Sequence, residues 1–283
     1  MKKWFLIVDV AKCCNCQNCT MAMKDEYVGN DYPGYAVAQP QMGHDWITID
    51  RHIRGSGAML EVTYVPRMCN HCDDAPCIKA GTGAVYKRPD GIVIIDPVKA
   101  KGRKDIVSSC PYGAISWNEE AQVPQQWIFD AHLLDQGWNE PRCTQACPTG
   151  ALRSMKISDD EMERLVATDK LAVINPKAKT KPRVYYRNMQ RVTTRLLCGN
   201  VVTKKLNGLS ENVEGAKVLL SDRTKAPRHT VVTDCFGDFR FDEIQADADS
   251  FALNISHPEH GGYTGTVKIA ITDNLGSIEL VPA

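Results

Sequence analysis

Twelve cysteines in 283 residues carry the chemistry legible in this chain. Cys13, Cys16 and Cys19 form a C-x2-C-x2-C run in "KCCNCQNCTMAMKDE", and Cys69, Cys72 and Cys77 form a second triplet in "MCNHCDDAPC". Cys110 and Cys147 each precede proline, in "CPYGA" and "CPTGA". A [4Fe–4S] cluster takes four thiolates. In two-cluster ferredoxin folds a triplet supplies three of them, and a cysteine followed by proline ligates the other cluster. Proline suits that place because its fixed φ turns the chain sharply after the ligand. Two triplets and two completing cysteines therefore fill two clusters. Four thiolates also suit structural zinc, but the repeated Cys-Pro-x-Gly-Ala context favours iron–sulfur.

The opening run departs from a bacterial ferredoxin in one respect. Its fourth cysteine is replaced by Met23, followed by Lys24 in place of proline. Cys14, Cys143, Cys198 and Cys235 are left over and read as buried or idle thiols. Eight of the first ten cysteines lie in close runs or Cys-Pro contexts. That pattern favours metal ligation in a reducing, cytoplasmic compartment over disulfides, a Cys198–Cys235 bridge included.

The elements that must position these thiols are short and β-rich. Residues 4 to 10 read as a strand entering the first cysteine loop. "HDWITIDRHI" and "LEVTYVPR" alternate as half-buried strands do. "GAVYKRPDGIVIID" is a hairpin around Arg88-Pro89-Asp90-Gly91. "DPVKAKGRKDIVSS" reads as a short helix leading to Cys110, "GAISWN" as a strand, and "SDDEMERLVATD" as a helix with a Ser158/Glu161 capping box. "KPRVYYRNM" returns as a strand. Beyond residue 195 the segments "GAKVLLSD", "HTVVTD", "DFRFDEI", "SFALNIS", "YTGTVKIAI" and "SIELVPA" have the spacing of a β-sandwich. The expected fold is α+β: a ferredoxin-like domain over residues 1–195 and an all-β sandwich over 196–283. Net charge is +0, so no global field favours nucleic acid. The longest apolar runs fall short of a bilayer span, and the N-terminal one reads as a strand, not a signal peptide.

The chain resembles the iron–sulfur subunits that accompany molybdopterin enzymes of the dimethyl sulfoxide reductase superfamily. Within that family it is most similar to the small subunits of the pyrogallol–phloroglucinol transhydroxylase and resorcinol hydroxylase type. The resemblance rests on "IVDVAKC", "DYPGY", "CNHCDDAPC", "GAVYKRPDGIVIIDPVKAKG", "SCPYGAISWNEE", "AHLLD", "KPRVYY", "EGAKVLL" and "DCFGDFRFD", and covers nearly the whole chain. It implies that Cys13, Cys16 and Cys19 share a cluster with Cys147, and that Cys69, Cys72 and Cys77 share one with Cys110. It implies a transthyretin- or Ig-like C-terminal domain. It also implies a large catalytic partner subunit holding molybdopterin (bis-guanine dinucleotide, molybdenum or tungsten), and allows a higher oligomer of heterodimers.

The same resemblance places two further ligand sets, and both are vacant. One falls on Met23, Trp127, Asp130 and Cys143, of which only Cys143 can supply a thiolate. The other falls on Gly81 and positions near Ala100, Arg103 and Ile106, with no cysteine. Two clusters are thus expected where the transhydroxylase pattern has three. In the family's usual layout the two retained sites lie at opposite ends of the cluster chain, too far apart for fast exchange. One or both would then serve the fold, since metal binding also supplies folding free energy.

Other residues give weaker signals. His44, His52 and His132 read as structural, whereas His71 in "CNHC" could donate to a cluster sulfur. Trp46, Trp117, Trp127 and Trp138 read as packing residues, Trp127 as filler of an absent cluster's space. No phosphate loop, nucleophile elbow or paired carboxylate is evident. The expected role is an iron–sulfur electron-transfer subunit of a molybdopterin enzyme acting on polyhydroxylated aromatics. The alternatives are service to another molybdenum or tungsten oxidoreductase, or a redox-silent structural partner.

Overall fold

The computed structural model describes residues 1–205, 208–221, 227–245, 250–269 and 272–281. The ends of three expected strands, at 222, 270–271 and 282–283, lie outside them. The chain divides into two compact units, one of residues 1–51 and 64–189, the other of 52–63 and 190–283.

The first unit is built on β1 (Lys3–Asp9), whose "WFLIVD" is buried throughout. After it come α1 (Asn18–Tyr27) and a hairpin of β2 (Thr48–Arg54) and β3 (Glu61–Arg67), whose tip at 52–63 belongs to the second unit. Next are α2 (Pro76–Gly81), the hairpin β4 (Val85–Lys87) and β5 (Val93–Ile95), and α3 (Asp105–Ser108). The pair β6 (Ser116–Asn118) and β7 (Val123–Gln125) precedes α4 (Ala131–Asp135), α5 (Arg142–Gln145), β8 (Leu152–Ile157), α6 (Asp159–Asp169) and β9 (Val184–Arg187).

β1 is the middle of a three-stranded sheet, antiparallel to β8 and parallel to β9, with Leu6 opposite both Ser154 and Val184. Phe5 and Ile7 project onto Met162, Leu165 and Leu171, the apolar stripe of α6 and its exit. The capping box that starts α6 is formed: Glu161 N–H donates to Ser158 Oγ at 3.3 Å and Ser158 N–H to Glu161 Oε2 at 2.8 Å. At the β4–β5 turn Gly91 has φ +89°, and a Cβ there would meet Arg183 Nε at 2.9 Å, so glycine is required twice over.

Two expected elements are shorter than the sequence suggests. The helix expected over 96–109 is reduced to α3. Asp96 instead caps a turn, accepting from Val98 N–H and Lys99 N–H through Oδ1, and Gly102 at φ +78° breaks the run. "GAISWN" is extended only at Ser116–Asn118.

The second unit contains α7 (Gln190–Thr193), β10 (Arg195–Lys204), β11 (Ser210–Asn212), β12 (Lys217–Ser221), β13 (Pro227–Val232), β14 (Asp238–Ile244), β15 (Ser250–His257), β16 (Gly261–Lys268) and β17 (Thr272–Glu279). Two four-stranded sheets form, one of β11, β10, β14 and β17, the other in the order β13-β12-β15-β16. Both contribute to one core: Leu197 and Val201 from β10, Phe239 and Phe241 from β14, Val218 and Leu220 from β12, and Phe251 and Leu253 from β15. Among the described residues no helix is long and apolar enough to cross a membrane.

Candidate metal centre

The first cysteine loop leaves β1 through Asp9. Its carboxylate accepts from Ala11 N–H at 3.1 Å and from Asn188 Nδ2 at 2.7 Å. Asn15 and Gln17 then adopt left-handed conformations, φ 59° and 62°, which curl the loop before α1 opens with Cys19 in its first turn. Cys147 arrives from the other side of the sequence, between α5 and β8, in a turn closed by Gly150 N–H to Cys147 O at 3.3 Å. Cys13, Cys16, Cys19 and Cys147 line one pocket with about 300 Å³ of atom-free space; Cys14, Ile49, Pro66, Thr149, Ala151 and Leu152 complete its wall. Burial pushes the Cys13 thiol up and the Cys19 thiol to about 11, with neighbouring thiols adding to both. Cys147 goes the other way. Burial raises it, but the N–H groups of Leu152 and Ala151 and the Thr149 hydroxyl outweigh that and hold it below the ordinary thiol range.

The second group gathers between β3 and β6. Cys72 and Cys77 are buried in one cluster against which Cys110 packs. Burial, then Cys110 and Cys72, lift Cys77 to about 11, and burial with Cys110 and Cys77 drives the fully buried Cys69 well above the usual range. The loop is fixed by its own backbone. Lys87 Nζ donates to His71 O at 2.9 Å, Cys72 O at 2.8 Å and Asp73 Oδ1 at 2.6 Å. Asp73 N–H donates to Lys181 O at 2.9 Å and Asp74 N–H to Thr180 O at 3.0 Å. The first group thus lines one largely apolar pocket, and Cys72, Cys77 and Cys110 of the second share an apolar cluster with Cys69 in electrostatic reach; thiolates in such walls are a donor set suited to iron–sulfur ligation. The raised thiols would release protons on ligating iron. Among the described residues no group of three or more His, Cys, Asp or Glu side chains is arranged to hold a single metal ion.

The ring donation expected of His71 falls to Nε2, which is buried and without a partner among the described residues. His71 Nδ1 accepts from Val93 N–H at 3.0 Å, and burial depresses the ring to about 3. The donor to Cys69 Sγ is the His71 backbone N–H, at 3.5 Å. Of the remaining cysteines, Cys14 stands in the wall of the first pocket, Cys198 is buried in β10 and Cys235 is exposed, and none of the twelve is in a disulfide. His132 is a buried partner of Glu26 at 2.8 Å. Trp46 packs on Tyr27, their centroids 4.5 Å apart, and Trp117 lies beneath Lys104 Nζ at 5.5 Å.

The vacant positions are filled by two kinds of packing. Gly81 abuts aliphatic core: a Cβ there would lie 2.4 Å from Val85 Cγ2 and 3.7 Å from Ile106 Cδ1, and Ala100 and Ile106 belong to the same cluster. At the other set Trp127 is fully buried and stacked on Phe129 at 4.7 Å, with the His71 ring edge-on to both at 5.5 and 5.6 Å. Met23 and Cys143 are fully buried as well. Asp130, 0% exposed, holds a contact no sequence signal announced. Its Oδ1 accepts from Tyr27 Oη at 2.6 Å and its Oδ2 from Arg142 N–H at 2.7 Å.

A family model described as a 4Fe-4S dicluster domain matches residues 60–157. The chain is 39% identical over 281 residues to the pyrogallol hydroxytransferase small subunit of Pelobacter acidigallici, spanning 95% of this chain and 100% of that one. It is 27% identical to the arsenate respiratory reductase iron-sulfur subunit ArrB of Shewanella sp. (strain ANA-3), over 64% of this chain and 94% of the relative. The thiosulfate reductase electron transfer subunit PhsB of Salmonella typhi shares 31%, over 58% of this chain and 81% of its own length. With two four-thiol groups and full-length similarity of this kind, the chain belongs to the iron–sulfur small subunits of the pyrogallol hydroxytransferase type, within the dimethyl sulfoxide reductase superfamily of molybdopterin enzymes.

Proposed function

We propose that this chain is the iron–sulfur electron-transfer subunit of a heteromeric molybdopterin enzyme acting on polyhydroxylated aromatics. Cys13, Cys16, Cys19 and Cys147 hold one [4Fe–4S] cluster, and Cys69, Cys72, Cys77 and Cys110 hold the other. The observation that carries the reading is the gathering of these eight cysteines into two separate groups of four. When bound, the clusters supply one-electron redox chemistry. The chain's own part is to fix the sulfurs, to exclude water around them with apolar walls, and to aim backbone N–H groups at Cys69 and Cys147.

The catalytic site lies in a large, cytoplasmic partner subunit carrying molybdopterin bis-guanine dinucleotide with molybdenum or tungsten, and the heterodimers can assemble further. Residues 1–195 form the ferredoxin-like domain. Residues 196–283 form a transthyretin- or Ig-like sandwich, a reading supported by the single core its two sheets share. This domain stabilises or scaffolds the assembly.

The filled positions at Gly81 and Trp127 favour a second reading, in which the clusters are staples of a redox-silent partner. Co-purification of the complex with metal analysis separates the two. About eight iron per chain, with paramagnetic resonance signals that appear on reduction and change when pyrogallol is added, support electron transfer. Clusters that stay silent through turnover support the staple. A chain isolated without iron sinks both.

A further inference from the structure

We infer that Asp130 is a proton-accepting site coupled to the redox state of the cluster held by Cys13, Cys16, Cys19 and Cys147. The inference rests on that ligand assignment and adds to it a group that sequence resemblance marks only as a lost ligand.

The carboxylate is fully buried, yet among the described residues no cationic side chain bonds it. Both of its hydrogen bonds come from neutral donors, Tyr27 Oη at 2.6 Å and the Arg142 backbone N–H at 2.7 Å. The charged and titratable groups around it are Glu26 and Tyr27 of α1, Tyr32 in the segment that follows α1, His132 of α4, and Arg142 and Cys143 of α5. The two potential cations among them are engaged elsewhere. Arg142 directs its guanidinium to Glu26 and to Asp25 Oδ2, the latter at 2.6 Å, and His132 Nε2 meets Glu26 Oε1 at 2.8 Å. Glu26 also accepts from Tyr32 Oη at 2.6 Å. Burial pushes the Asp130 carboxyl up, and the two donated bonds offset only part of that.

Cys143, buried on α5 next to the Arg142 N–H that binds Asp130, is within electrostatic reach of Asp130, Cys19 and Cys147, and α5 packs on α1, whose first turn carries Cys19. Negative charge added at the proposed cluster raises the proton affinity of this unneutralised carboxylate, because little water intervenes to screen it. Arg142 and Asp25, at the exposed edge of the network, are where solvent comes closest.

The step balances simply. A one-electron donor, such as the reduced molybdenum centre of the partner or dithionite in a titration, loses one electron to the cluster. Asp130 gains one proton from solvent and passes from carboxylate to carboxylic acid, the new O–H being the one bond formed on the protein. Between the proton affinities of the oxidised and reduced states, each tenfold fall in proton concentration lowers the midpoint potential by about 59 mV.

The test is a redox titration of the purified complex, followed by paramagnetic resonance at several values between about pH 5 and about pH 9. The signal that Cys147→Ala removes marks the cluster in question. We expect its midpoint to fall with pH across part of that range, and to become pH-independent in Asp130→Asn. In Tyr27→Phe, where the carboxylate loses a donor, the sloping region moves to higher pH. This second variant decides the matter if Asp130→Asn fails to assemble. A flat profile in the unmodified complex, a slope surviving in Asp130→Asn, or an unmoved slope in Tyr27→Phe overturns the inference while leaving the ligand assignment intact. A complex holding about eight iron per chain in which Cys147→Ala removes no signal overturns the assignment instead.

Discussion

Arg183 closes a two-toothed fork on Asp73, Nε to Oδ1 at 2.8 Å and Nη2 to Oδ2 at 2.7 Å. The arginine is 1% exposed, lies over the Phe5 ring at 4.7 Å, and ties β9 to the loop that follows Cys72. The Asp73 carboxyl is shifted down from its ordinary value, because bonds and charge from Lys87 and Arg183 overcome the cost of its burial.

Arg183→Met is expected to remove about 3 kcal/mol, the scale for hydrogen bonds to a charged group. Lysine should restore less than half of that, since it cannot reproduce the planar fork. The measurement is the denaturant concentration at which visible cluster absorbance is lost from the complex. An unchanged midpoint in Arg183→Met would show that Lys87 and the backbone bonds of Asp73 and Asp74 hold the loop without it.

Cys147→Ala should abolish one cluster, lowering iron from about eight towards about four per chain, whereas Cys143→Ala should leave both. Cys143 is as deeply buried as any cysteine here, but it lines neither group of four. Equal iron in the two variants would break the pairing.

Gly81→Cys should not recruit a further cluster. The new Cβ would fall 2.4 Å from Val85 Cγ2, and crowding of a packed core costs about 2 kcal/mol. Iron should stay near eight per chain while the melting temperature drops. A rise in iron would mean that the aliphatic packing around Ala100 and Ile106 yields to metal.

Glu61 organises the second unit. Arg54 Nη2 and Arg240 Nη2 both donate to its Oε2 at 2.6 Å, and Arg191 Nε donates to Oε1 at 2.6 Å. Burial raises its carboxyl, but Arg54 and Arg191 more than reverse this and the net shift is downward. A depressed folded-state value means the stabilisation is full above the unfolded value near about pH 4.3 and is lost as pH falls through the folded one. Glu61→Gln should therefore cost about 3 kcal/mol at neutral pH, because it strands the nearly buried Arg54. It should also flatten the acid limb of the stability profile. Urea unfolding of the full chain between about pH 3 and about pH 7 reads both, and an acid limb that survives the substitution would assign it to other carboxylates.

What the sequence disclosed follows the range of the interactions involved. The Ser158/Glu161 box, the strand over residues 4–10 and the hairpin at Arg88–Gly91 depend on neighbours a few positions apart, and all three formed. α1 was missed. Its composition is polar with a weak apolar stripe, and it is stabilised by distant partners, such as the Tyr27–Asp130 bond across 103 positions. The helix expected at 96–109 failed because a local side-chain cap at Asp96 and a left-handed Gly102 competed successfully with helix propensity. At the site, residue spacing announced the two triplets, but the partnering of each with Cys147 or Cys110 came from resemblance. Which nitrogen of His71 carries the proton depended on a bond from Val93, 22 positions away.

The placement of β1 between β8 and β9 governs how the polypeptide emerges during translation. Its buried strand is translated before either of its hydrogen-bonding neighbours, both encoded after residue 151. Until Leu152–Ile157 has been synthesised the strand has two bare edges, Phe5 and Ile7 lack cover until Met162–Leu171 follows, and one edge stays bare until Val184–Arg187, the condition in which nascent chains are prone to stick to one another. A chaperone that holds the N-terminal segment, or the early arrival of the rest of the chain, is what the topology demands of the cell.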